Sequence, residues 1–85
     1  MSMVRQIIQA VTLTQQQIDD QISKLQAYNG QIDQILNRVQ AELSGSTQSY
    51  TQEMINQLQL TKKQVEDSIT KLQTAKEKLN QVKMI

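Results

Sequence analysis

Eighty-five residues carrying nine basic and eight acidic side chains, for a net charge of +1, allow one small domain with no bias toward nucleic acid or another polyanion. The absence of Cys and His excludes disulfides, thiolate metal sites and histidine chemistry, and the absence of Trp, Phe and Pro leaves a core of Ile, Leu, Val, Ala and Met. Apolar burial at about 25 cal/mol per Å² barely offsets the ordering cost of so small a scaffold, so association with a further molecule is the expected remedy.

The first residues, Met1-Ser2-Met3-Val4-Arg5-Gln6-Ile7-Ile8-Gln9, lack the apolar run and small-residue cleavage site of a signal peptide. No stretch of the chain approaches membrane-spanning length. Membrane insertion is therefore not expected, and any export would use a route independent of a signal peptide.

From Val4 onward an apolar side chain recurs in steps of four and three: Ile8, Val11, Ile18, Ile22, Leu25, Ile32, Leu36, Val39 and Leu43, with Gln15 and Asn29 on the missing beats. This is the heptad seam of helices packed side by side, and it predicts a first helix over about residues 3–43. Thr14-Gln15-Gln16-Gln17 fits a capping box that would start the helix later and leave residues 1–13 as an arm. The matched length of the two arms favours the early start. Asn29-Gly30 is a turn dipeptide that could split this arm, but the beats from Leu25 through Asn29 to Ile32 and Leu36 keep their phase across it. A continuous helix with a soft spot at Gly30 is the reading that phase supports.

At Leu43-Ser44-Gly45-Ser46-Thr47 the pattern breaks. Gly45 suits a left-handed helix end, and the hydroxyl residues suit the cap of the next helix, predicting a turn over 44–47 and a second helix over about 48–83. Ser49-Tyr50-Thr51-Gln52 fits a capping box, with Glu53 close to the positive end of that helix. The seam then resumes at Thr51, Met54, Leu58, Thr61, Val65, Ser68, Leu72, Ala75, Leu79 and Val82, with Ile55 and Ile69 widening it. Its large members are Leu58, Val65, Leu72 and Leu79, whereas Thr61, Ser68 and Ala75 are small, so the first arm is expected to lie tightest along the small edge.

The fold class is thus all-α, an antiparallel two-helix hairpin comprising the single domain 1–85. The expected helix–helix interface is Ile8, Val11, Ile18, Ile22, Leu25, Ile32, Leu36 and Val39 against Met54, Leu58, Val65, Leu72, Ala75, Leu79 and Val82. Ile7, Tyr28, Ile35, Ile55 and Ile69 make the apolar stripe broader than two strands need, which predicts a four-helix bundle formed by a homodimer or with a related helical protein. Gln15 and Asn29 would either fix register inside it or face a solvated edge. The lysines at 62, 63, 71, 76, 78 and 83 alternate with Glu66, Asp67 and Glu77, in places at the four-residue spacing of helical ion pairs, as in Asp67 with Lys71.

Chemistry is scarce. Without histidine, thiol or a glycine-rich loop, and with the neighbouring acids Asp19-Asp20 and Glu66-Asp67 pointing about 100° apart on a helix, no catalytic set or metal clamp is expected. No cofactor is implied, and two tyrosines are too few for a base-stacking platform. Glutamine fills 17 of the 85 positions, mostly off the seam, and reads as a neutral helical surface. Leu13 and Leu60 are apolar residues expected outside the seam.

The run Leu43-Ser44-Gly45-Ser46-Thr47-Gln48-Ser49-Tyr50 resembles the bend of the WXG family, the ESAT-like helical-hairpin proteins of type VII secretion. Leu43 stands at the place of that family's tryptophan, Gly45 at its glycine, and Tyr50, one residue early, at its aromatic. Val11-Thr12-Leu13-Thr14 followed by a polar turn is also similar to how such proteins begin. The resemblance implies a non-enzymatic interaction protein that pairs with itself, with a related small protein, or with the helical N-terminal domain of a larger secreted effector or toxin to support its export. It also implies a secreted or cell-surface destination. A structural subunit of a secretion apparatus, or a cytoplasmic coiled-coil adaptor or chaperone, is the alternative for a helical hairpin of this size.

Overall fold

The computed structural model of the chain describes residues 2–43 and 49–84. Two helices account for nearly all of them: α1 runs Ser2–Glu42 and α2 runs Ser49–Lys83. They pack against each other as an antiparallel hairpin. The turn residues 44–47, with Gly45, lie outside the described residues, as does the side chain of Tyr50. Leu43 closes α1 with its amide donating to the Val39 carbonyl at 2.9 Å, and its side chain remains partly exposed.

α1 passes through Gly30 without interruption. The glycine faces solvent, and a Cβ built on it meets nothing within 4 Å, so neither backbone strain nor close packing demands glycine there. With 41 residues at about 1.5 Å each, α1 alone spans most of the 67 Å long axis; the other dimensions, 15 and 14 Å, hold two helices and no more.

Burial along α1 keeps the seven-residue repeat. Val11, Gln15, Ile22, Asn29, Ile32 and Leu36 are buried, while Ile18, Leu25 and Val39 fill the remaining beats half-buried. An untwisted helix drifts by about 20° per heptad, so a strict repeat over this length requires the two helices to coil left-handedly about each other. Gln15 and Asn29 thus sit inside the seam.

α2 turns a different stripe inward from the one its apolar residues suggest. Thr51 is buried, and the half-buried positions are Ile55, Leu58, Thr61, Lys62, Val65, Ile69, Leu72, Ala75, Lys76, Leu79 and Lys83, among which Ile55, Leu58, Lys62, Val65, Ile69, Leu72, Lys76, Leu79 and Lys83 follow one another in steps of three and four. Leu58, Val65, Leu72 and Leu79 are shared with the expected seam, but their companions are displaced by one residue. Met54, Ser68 and Val82 are consequently exposed, whereas Thr61 and Ala75 are half-buried like the lysines that follow them. α1 leans toward the isoleucine–lysine stripe rather than the small one. The reason is chemical: lysine buries its four-carbon stem along apolar surface while its ammonium reaches an acid or water, so Lys62, Lys76 and Lys83 serve as seam residues. Ile8, near the open end, is also left exposed.

The resulting core is thin. Ile32, at 3% exposure, is the most enclosed apolar side chain among the described residues, and no described side chain is sealed completely.

Candidate interaction surface

Two polar clasps tie the helices together, and they are copies of one another. At the first, the Gln15 Nε2 donates to the Lys76 carbonyl at 3.2 Å, and the Lys76 Nζ donates to Asp19 Oδ1 at 2.7 Å. At the second, the Asn29 Nδ2 donates to the Lys62 carbonyl at 3.4 Å, and the Lys62 Nζ meets Asp33 Oδ1 at 2.7 Å. Every member is displaced by two heptads, forward on α1 and backward on α2. Between and beyond the clasps the equivalent positions hold isoleucine and leucine: Ile22 with Ile69, and Leu36 with Ile55. Polar residues therefore meet polar ones and apolar meet apolar in this register, and a slip by one heptad would strand Asn29 beside Ile55 or Ile69 in either direction, with Gln15 stranded beside Ile69 in one of them.

The copies are not equally complete. Gln15 Oε1 accepts a third bond from the Lys83 Nζ at 3.0 Å. Two heptads along, the residue equivalent to Lys83 is Ile69, which has nothing to donate, and Asn29 Oδ1 is buried without a hydrogen-bond partner. Asp33 holds the Lys62 ammonium above its ordinary pKa through the hydrogen bond and its charge; burial opposes this and Glu66 adds to it.

The clasps also divide the hairpin into two unlike edges. In an antiparallel pair the residues just after each inner leucine-type position of the two helices share one edge, and those just before each clasp-type position share the other. The first edge holds Asp19, Gln26, Asp33, Gln59, Glu66, Gln73 and Asn80, with the lysine heads reaching into it. An open groove there is lined by Gln15, Asp19, Gln73, Lys76, Glu77 and Asn80. The second edge is uncharged along most of its length. It presents Ile7, Thr14, Gln21, Tyr28 and Ile35 from α1, and Met54, Thr61, Ser68, Ala75 and Val82 from α2.

Five of those residues are large, apolar and exposed: Tyr28 at 49%, Ile35 at 47%, and Ile7, Met54 and Val82. The hydroxyls of Thr61 and Ser68 are turned onto their own helix, bonding the Gln57 and Gln64 carbonyls, so they leave the edge short and smooth at its centre. Of the sequence-expected interface, then, the hairpin brings together Val11, Ile18, Ile22, Leu25, Ile32, Leu36, Val39, Leu58, Val65, Leu72 and Leu79, with Ala75 at the margin. It leaves Ile8, Met54 and Val82 outside. Leu13 and Leu60 are exposed on the outer faces, and Asp67 makes no ion pair with Lys71 among the described residues.

The lysine clasps escape a reading that sorts residues by polarity. The signal that finds them is the mirrored spacing itself: Gln15 and Asn29, Asp19 and Asp33, Lys62 and Lys76 are each fourteen apart. Among the described residues no group of three or more acids could hold a metal ion, and no helix is long and apolar enough to cross a membrane. No family model, curated protein or solved structure matches this chain.

Proposed function

We propose that the chain is a non-enzymatic helical interaction protein of type VII secretion, pairing with itself or with the helical N-terminal domain of a larger secreted effector to support that effector's export. The observation that carries the pairing is the half-used apolar stripe: α1 and α2 satisfy each other along one seam and leave Ile7, Tyr28, Ile35, Met54 and Val82 together on one edge. Exposed apolar clusters of this kind, rimmed by polar residues, mark sites where a partner docks. The link to type VII secretion is supported by the hairpin architecture and by the likeness of Leu43–Tyr50 to the WXG bend. In this reading the destination is the cell surface or the medium.

The test is co-expression with the helical N-terminal region of a larger protein encoded beside it, followed by purification on a tag carried by the larger partner. A stoichiometric complex, together with the chain's appearance in culture medium only while the secretion machine is intact, is the expected result. A chain that stays in the cell and purifies alone contradicts it.

A further inference from the structure

From the distribution of charge around the uncharged edge, we infer that its occupant is an amphipathic helix of another protein whose apolar stripe is flanked by Asp and Glu. This rests on the interaction reading above and names the partner's chemistry.

The row of residues bordering that edge on the solvent side is Gln17, Lys24, Gln31 and Arg38 on α1, and Gln57, Gln64, Lys71 and Lys78 on α2. It contains four bases and no acid. The acids lie elsewhere: Asp19, Asp33 and Glu66 on the clasped edge, Asp20, Asp67, Glu53 and Glu77 on the outer faces. Only Glu42 belongs to the uncharged edge, at its turn end, and it meets Arg38 at 3.9 Å with both side chains largely exposed. Lys24, Lys71 and Lys78 make no ion pair among the described residues. On the clasped edge, by contrast, Lys62 and Lys76 each hold an acid at 2.7 Å.

A basic rim on both sides of an apolar row selects the sign of what lies in it. Two copies of this chain meeting edge to edge would oppose Lys24, Arg38, Lys71 and Lys78 to their own kind, whereas a helix flanked by carboxylates pairs with all four. The size also fits. A helix about 12 Å wide lying along most of a 67 Å rod covers about 800 Å² of it, the usual share of one partner in a stable complex. An anionic membrane would attract the same rim, but attachment to lipid scales with the apolar area buried, and Thr14, Gln21, Thr61 and Ser68 interrupt the row with small or polar side chains.

The experiment uses the full chain and two synthetic helical peptides of about four heptads with one leucine seam, flanked in one by Glu and in the other by Lys. Binding is followed by fluorescence anisotropy at about 50 mM salt, where screening is weak. Vesicles of mixed zwitterionic and anionic lipid and the sedimentation mass of the chain alone complete it. The Glu peptide is expected to bind at least ten-fold more tightly than the Lys peptide, and the preference is expected to shrink with salt. It should reverse in the variant K24E/R38E/K71E/K78E, and Ile35→Asp should abolish binding while the helical spectrum is kept. Equal binding of the two peptides, a preference that survives the charge reversal, or binding to vesicles alone overturns the inference. A dimer that Ile35→Asp dissociates, with neither peptide bound, overturns the acidic partner and leaves helix pairing standing. A monomer that binds neither peptide overturns both.

Discussion

The Gln15 clasp and the Asn29 clasp are built from the same parts in the same register, yet one is satisfied and the other is short of a donor. Near the open end, Gln15 donates to α2 and accepts from Lys83, so both ends of its amide are used. In the middle of the hairpin, Asn29 donates to α2 but keeps a buried oxygen without a partner, and Gly30 follows it directly. The difference comes down to Lys83 against Ile69. It teaches that a polar seam residue secures alignment whether or not it contributes stability, because the penalty for a wrong register falls on any misplaced amide.

The largest effect that sharpens this contrast lies beside the weaker clasp. Ile32→Ala, three residues on from Asn29 and the most enclosed apolar position, should cost about 2–5 kcal/mol in thermal or urea unfolding. Ile35→Ala on the open edge should change the isolated chain by less than about 0.5 kcal/mol. Equal losses would show that Ile35 is already covered, and would erase the distinction between seam and edge.

Next in size are the clasps themselves. Asn29→Leu removes the orphaned oxygen and should raise stability by about 1–2 kcal/mol, whereas Gln15→Leu breaks two satisfied bonds and should lower it by about 1 kcal/mol. Urea melts of the two variants decide it, and shifts of the same sign would mean that the clasps do not differ as described. Gly30→Ala, with open space for its Cβ, should add up to about 1 kcal/mol by removing the flexibility beside Asn29.

The smallest effect is the pH dependence of the second clasp. Because Asp33 raises the folded-state pKa of Lys62, the pair's contribution is fully present below the ordinary value of 10.5 and is lost as pH rises through the folded value. The melting temperature of the chain should exceed that of Asp33→Asn at neutral pH, and the gap should close under strongly alkaline conditions. A gap that persists there would show that the pair does not act through the lysine's charge.

The all-α hairpin and the whole inner stripe of α1 were legible in the sequence, because α1 places an apolar residue or one of two amides on every beat and keeps that phase across Gly30. The inner stripe of α2 was legible only in its leucine–valine half. Its other half alternates Ile55, Lys62, Ile69, Lys76 and Lys83, and a lysine's charge conceals how much of its stem is buried. Thr61, Ser68 and Ala75 looked like the snug edge because they are small; Thr61 and Ala75 are indeed half-buried, but Met54, Ser68 and Val82 are exposed while Ile55, Ile69 and Lys83 beside them are half-buried, because larger side chains gain more by burial. The apolar excess at Ile7, Tyr28 and Ile35 was visible from their spacing beside the seam; which edge it occupies depends on the clasps and needed three dimensions.

The most direct test uses the chain's lack of cysteine. Single cysteines at the exposed positions Ser23 and Thr70 carry spin labels without perturbing the seam, and their separation is read by pulsed dipolar spectroscopy. The clasped antiparallel register predicts one narrow distribution at about 20–25 Å, two helix axes about 10 Å apart with labels pointing outward. A broad distribution would contradict a single clasped register, and a separation of about 70 Å would mean that the chain is one extended rod.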